Sequence, residues 1–245
     1  MLLLIYILVG LSLGSFFGVL VTRRAKGILG RSQCPHCHKT LSWYELIPVV
    51  SFIIQKGKCR KCGHSLSHIY PALELFTAFI LVFFLSRLSL SLTPDFHLFL
   101  LCIFILLFFF DLLFFILPDV IVFPAIIFSF AYIYFLKPEL FKESVLTGVF
   151  LASFFGILYI CSSGRWLGLG DVKLVFLIGL ALGYPWGVLV TILAIWVGAL
   201  WGIILLATKR AEMKTPLPFG SCLSGVAIGY ILFAHELQKS LLHFF

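Results

Sequence analysis

Eight long apolar runs, at about 2–21, 71–86, 97–117, 120–136, 144–161, 172–183, 187–208 and 220–237, leave few folds open to this chain. Hydrocarbon offers backbone N–H and C=O groups no partner, so runs of this length must satisfy them internally, as helices. About 20 residues are needed to cross about 30 Å of hydrocarbon, which makes the run at 172–183 the weakest candidate span. With 62% hydrophobic residues, 11% charged and a mean hydropathy of +1.14, the composition lies far from that of a soluble domain. The expected fold is an all-α polytopic membrane protein of about eight transmembrane helices, one membrane-embedded domain over 1–245.

Charge gives this bundle an orientation. The first run has no basic residue before it and Arg23-Arg24 immediately after, the reverse of a secretory signal peptide. It reads as an uncleaved first span with the N-terminus outside. The segments 22–70, 117–119, 162–173 and 209–219 are then cytoplasmic. Segment 22–70 holds Arg23, Arg24, Lys26, Arg31, Lys39, Lys56, Lys58, Arg60 and Lys61, and the other three hold Arg165, Lys173, Lys209, Arg210 and Lys214. Only Arg87, Lys137, Lys142 and Lys239 remain outside, as the positive-inside rule requires. The net charge of +8 is localised in 22–70, whose one acid is Glu45. Such a loop favours anionic lipid headgroups, and no nucleic acid is needed to explain it.

The one sizeable insertion between spans, about 25–68, carries Cys34-Pro-His-Cys37 and Cys59-Arg-Lys-Cys62. Two C-x-x-C pairs separated by 21 residues approach the spacing of a tetrahedral zinc site. In a reducing cytoplasm Cys34, Cys37, Cys59 and Cys62 are available as thiolates, and a zinc-ribbon-like loop between the first two spans is expected. Two disulfides, free thiols or a catalytic cysteine are the alternatives. His36, His38, His64 and His68 could support or replace a ligand, or be solvated. Cys102, Cys161 and Cys222 lie in apolar runs and read as inert small side chains. The glycines of Gly10-x-x-x-Gly14-x-x-x-Gly18 and Gly198-x-x-x-Gly202 read as close helix contacts.

Two acids interrupt the apolar runs. Asp111 sits in Leu106-Leu-Phe-Phe-Phe-Asp111-Leu-Leu-Phe-Phe115, and Asp171 closes Gly168-Leu-Gly-Asp171. A carboxylate at mid-membrane costs roughly 2.5–3.5 kcal/mol, so its presence points to function. Asp111 is expected about six residues, or roughly 9 Å, above the cytoplasmic end of its span. The glycines before Asp171 are expected to permit close backbone approach and local unwinding of a helix start, which could present the carboxylate to an extended peptide. Two carboxylates held close cannot easily both ionise. One can then activate water while the other polarises a carbonyl and protonates the leaving amine, which is aspartyl proteolysis. Asp119, after Pro118, reads either as a helix cap or as functional.

These residues together resemble the bacterial type IV prepilin peptidase family, along nearly the whole chain. The resemblance rests on Gly14-Ser15-Phe16, the paired cysteines around Trp43-Tyr-Glu-Leu-Ile-Pro48, Gly57-Lys-Cys59 and Tyr70-Pro-Ala-Leu-Glu74. It continues through Asp111 with Leu117-Pro-Asp119, Gly168-x-Gly-Asp171-x-Lys-Leu174, and Pro216-x-Pro-Phe-Gly220. The family's two catalytic aspartates fall on Asp111 and Asp171. The resemblance implies an endopeptidase of the bacterial inner membrane that removes a short basic leader from prepilins or pseudopilins after a glycine. It also implies methylation of the new N-terminus with S-adenosylmethionine, an activity associated with Gly57, in the service of type IV pili or protein secretion. Many family members carry an acid two residues after the first catalytic aspartate, where this chain has Leu113. Glu74 matches a recurrent family acid, with a buried hydrogen bond or interfacial snorkelling as the plain reading. Lys173 reads as snorkelling or as tuning Asp171. A peptidase without methyl transfer, and a transporter or assembly scaffold whose acids relay protons, are the competing readings.

Overall fold

The computed structural model describes residues 2–23, 31–34, 36–86, 94–209 and 215–242. Among the basic residues that set the orientation, Arg24, Lys26, Arg87, Arg210 and Lys214 lie outside these, as does the side chain of Lys239. The described residues are almost wholly helical: α1 (Leu2–Thr22), α2 (Val50–Ile54), α3 (Ile69–Ser86), α4 (Pro94–Phe114), α5 (Asp119–Leu136), α6 (Pro138–Cys161), α7 (Leu169–Leu182), α8 (Trp186–Ala207) and α9 (Phe219–Leu242). Every apolar run of the sequence becomes a helix. Six of them, α1, α3, α4, α5, α6 and α8, are long and apolar enough to cross a membrane, fewer than the eight expected. Helix α7 has 14 residues, about 21 Å, and the apolar part of α9 is only Phe219–Ala234.

The chain divides into two compact units, Met1–Leu92 and Thr93–Phe245. In the first, α1 and α3 run antiparallel along the glycine stripe. A Cβ added at Gly10 would lie 2.6 Å from Ala78 Cα, and one at Gly14 would lie 2.6 Å from Glu74 Cα. Backbones this close exclude any side chain, which is the packing that small residues permit in lipid. Between the two helices lies the cysteine loop, with a 3-10 turn at Trp43–Leu46 and the short α2.

In the second unit α4 is the most enclosed span, with Leu100, Leu101, Phe104, Ile105 and Leu107 wholly buried. It packs on α9, while α7 lies against α5, α6, α8 and α9. This surround lets a short helix sit inside the bundle without itself spanning hydrocarbon. Three helices meet at glycines: a Cβ at Gly179 would lie 2.7 Å from Gly148 Cα, and one at Gly187 would lie 2.9 Å from Gly179 Cα. Helix α4 stops at Phe114, three residues short of the apolar run's end. Phe115 takes φ +55°, Pro118 is extended, and a helical conformation is disfavoured for the residue before a proline. Asp111 is therefore one turn from a helix end, shallower than the run suggested.

Candidate active site and metal centre

Both candidate acids of the second unit lie at the same end of its bundle. Asp111 occupies the last turn of α4 and is buried, 5% exposed. The backbone N–H of Ser221, in the first turn of α9, donates to its Oδ2 at 2.6 Å. Asp171 is the third residue of α7, and its Oδ2 accepts the N–H of Gly168 at 3.2 Å. The two carboxylates are near enough to repel each other electrostatically.

Leu117, in the connection after α4, lies against both Gly170 of α7 and Gly220 of α9. A Cβ at Gly170 would meet Leu117 Cβ at 3.1 Å, and one at Gly220 would meet Leu117 Cδ1 at 3.1 Å and Asp111 Cγ at 2.9 Å. Gly220 is therefore required for space, and Gly170 lets Leu117 approach α7 closely. The expected unwinding before Asp171 is absent: Gly168 is an extended N-cap, φ −80° and ψ 149°, and Gly170 lies within the first helical turn. What the glycine provides is room for Leu117 to bring the α4–α5 connection against α7.

Asp119 does not cap α5; Pro118 is the N-cap, and the Asp119 carboxylate accepts from Lys173 Nζ at 2.7 Å. Lys173 also lies 5.0 Å from the Phe123 ring centre. The pair joins the first turns of α5 and α7, so Lys173 neither points away from the site nor pairs with Asp171. Ser221 and Leu117 are contributors that residue chemistry did not single out. One acts through its backbone and the other through its shape, and their only sequence signals were the neighbouring motifs Pro216-x-Pro-Phe-Gly220 and Leu117-Pro-Asp119.

In the first unit the four cysteines converge. Their sulfurs all lie within 4.8 Å of one another, with Cys34 to Cys62 and Cys37 to Cys59 both 3.9 Å. A tetrahedron of thiolates about 2.3 Å from zinc has edges of about 3.8 Å, so the group could hold that ion. Each pair sits on the same backbone knuckle. Cys34 N–H donates to Lys39 O and His38 N–H to Cys34 O; Cys59 N–H donates to His64 O and Gly63 N–H to Cys59 O. Matching bridges, Gln33 to Thr40 and Lys58 to Ser65, close the two turns. The histidines stand apart from the sulfurs' closure: His36 stacks on His64 at 4.6 Å, and His68 meets Phe52 edge-on at 5.4 Å. Glu45 is buried and anchors the loop, taking the N–H of Ser42 at 2.9 Å and Lys39 Nζ at 3.0 Å. Those contacts hold its carboxyl below the ordinary range and raise Lys39.

Gly57 has φ +67°, and an added Cβ would meet Phe52 Cζ at 3.1 Å. It is a turn residue set against the loop's own aromatic. Glu74 is buried in α3, accepting the N–H of Val49 at 2.7 Å and a hydrogen bond from Ser15. The buried reading of Glu74 holds over snorkelling. Glu74 and Glu45 line one cavity of about 270 Å³ with Ser15, Phe52 and Tyr70.

Comparison with known proteins divides the chain where the structure does. Residues 8–88 match the Bacterial Peptidase A24 N-terminal domain, and residues 98–203 match the Type IV leader peptidase family. A Bacillus subtilis (strain 168) protein named prepilin leader peptidase/N-methyltransferase is 32% identical over 243 residues, covering 96% of this chain and 94% of its own.

The chain belongs to the type IV leader peptidase family.

Two more relatives carry that same name. One from Pseudomonas aeruginosa is 27% identical over 97% of this chain and 92% of its own, and one from Vibrio cholerae is 32% identical over 74% and 78%. No solved structure matches. Family membership and the six apolar helices make this protein a multi-pass membrane peptidase.

Proposed function

We propose that this chain is an aspartyl endopeptidase of type IV prepilins or pseudopilins, acting at the cytoplasmic face of a bacterial inner membrane, with Asp111 and Asp171 as its catalytic pair. The observation that carries the reading is that two carboxylates, 60 positions apart in the chain, lie at one end of the second unit near enough to repel each other. Each has one oxygen fixed by a backbone N–H, Ser221 for Asp111 and Gly168 for Asp171, which leaves the other oxygen for water or substrate. The ionised partner takes a proton from the attacking water. The protonated partner polarises the scissile carbonyl, then protonates the leaving amine. No covalent intermediate forms, and the cleavage expected is after the glycine that ends the leader.

The same chain is proposed to methylate the new N-terminal amine, with S-adenosylmethionine as the methyl donor. Support comes from the first-unit cavity: Glu45 and Glu74 are the only acids in 1–92, and both line it. Glu45 is already neutralised by Lys39, whereas Glu74 makes no ion pair among the described residues and suits a positively charged amine. Gly57 lies outside this lining, so its proposed link to methylation runs through the turn it makes beside Phe52. Cys34, Cys37, Cys59 and Cys62 would hold a structural zinc that fixes the loop's two knuckles.

Incubation of the purified protein with a prepilin peptide, with and without S-adenosylmethionine, followed by mass measurement, tests both activities. Cleavage after glycine with a methyl on the new amine is expected. Cleavage alone leaves a peptidase, and an untouched peptide with folded protein refutes the assignment. Asp111→Asn and Asp171→Asn are each expected to lower cleavage at least about 100-fold while the protein still inserts.

A further inference from the structure

The second unit has a cavity at the end opposite Asp111. It is about 270 Å³ and is lined at the start of α4 by Phe96, the end of α5 by Tyr132 and Lys137, and the start of α6 by Glu143 and Ser144. From Phe96 to Asp111 is 15 residues of one helix, about 22 Å along its axis. The cavity therefore lies near the far boundary of the hydrocarbon from the paired acids.

Its walls are built rather than incidental. Phe96 and Tyr132 stack with ring centres 4.1 Å apart and planes 5° from parallel. Trp186, at the start of α8, packs on the buried Tyr230 at 5.2 Å. Gly183 leaves space for the buried Ser144, whose Oγ would lie 3.2 Å from any Cβ there. Lys137 and Glu143 face this one cavity with opposite charges. Neither makes an ion pair or side-chain hydrogen bond among the described residues.

We propose that this cavity binds the headgroup of an ethanolamine phospholipid. Lys137 takes the phosphate and Glu143 the ammonium. A purely anionic guest would meet Glu143, and a purely cationic one would meet Lys137, so the charge pattern selects a zwitterion. An aromatic lining that includes Trp186 favours an ammonium, and a carboxylate acceptor favours one that still carries N–H donors over a quaternary one. The volume lies just below the range of drug-sized sites, about 300–1,000 Å³, and suits a headgroup. Phe135, Leu136 and Leu140 are exposed beside it, an apolar surface on which acyl chains can lie. A soluble zwitterion would have no use for that surface.

The test is independent of peptidase activity. Full-length protein in detergent is titrated with phosphatidylethanolamine, phosphatidylcholine and phosphatidylglycerol of the same acyl chains, and bound lipid is read by native mass spectrometry. The variants are Lys137→Met/Glu143→Gln and, as a control beyond the cavity, Lys142→Met, with helicity and melting temperature followed for each. Ethanolamine lipid is expected to bind at least about 5-fold more tightly than the other two. The double variant should lose that preference with its fold intact, and the control should keep it. Equal binding of all three lipids, a preference that survives in the double variant, or free phosphoethanolamine competing as well as the lipid would each overturn the proposal.

Discussion

Asp111 and Gly220 make one contact that fixes the geometry of the candidate site. Any side chain at position 220 presses on the Asp111 carboxyl carbon at 2.9 Å, so Gly220→Ala must displace the acid, Leu117 or the start of α9. A displacement near 1 Å in a reacting group costs about 100-fold. Gly220→Ala is expected to cut peptide cleavage about 10- to 100-fold with unchanged helicity. The Lys173–Asp119 pair is worth less, because Asp119 is 58% exposed and pairs of that kind contribute about 0–1 kcal/mol. Asp119→Asn should therefore cost cleavage less than about 10-fold, far below the loss at Asp111. A loss equal to that of Asp111→Asn would move Asp119 into the catalytic set. Glu45 acts in the loop instead. Its carboxyl is held below the ordinary 4.5, so its contribution is present above that pH and fades as pH falls through the folded value. Hydrogen-exchange protection factors across 31–68 should fall in acid in the wild type, and Glu45→Gln should flatten that dependence.

At the scale of elements, the two units are assembled by the same use of one small residue. Helices α1 and α3 meet backbone to backbone at Gly10 and Gly14. Gly14→Ala cannot be absorbed by a flexible neighbour, since the obstacle is Glu74 Cα, and overpacking of this kind costs about 1–3 kcal/mol. Unfolding in a denaturing-detergent titration should show that loss. Gly156→Ala, with open space at its Cβ, should be nearly neutral. Helix α7 reads in the sequence as a marginal span. In the structure it is a short internal strut, long enough to carry Asp171 at one end and to meet Gly148 and Gly187 along its length. Hydropathy could not distinguish these, because a helix buried among helices and one facing lipid are equally apolar.

At the scale of the whole chain, metal and membrane contribute to separate parts. A structural zinc would supply the folding energy of a loop with almost no core of its own. About one zinc per chain is expected in the reduced protein and much less in Cys34→Ser/Cys37→Ser. Chelation should open 31–68 to proteolysis while the helicity of α4–α9 persists. The sequence by itself determined the helices, the cysteine quartet and the two acids, because runs this long and apolar must be helical in hydrocarbon, charge there is conspicuous, and the cysteine spacing outside it is that of a metal site. It could not place Ser221, whose part is played by a backbone N–H, or Leu117, whose part is played by shape. It also could not tell that Asp119 pairs with Lys173 54 residues away, or that the close approach at Gly170 is made by Leu117. Those depend on which surfaces meet, and only the packing of α4, α5, α7 and α9 decided them.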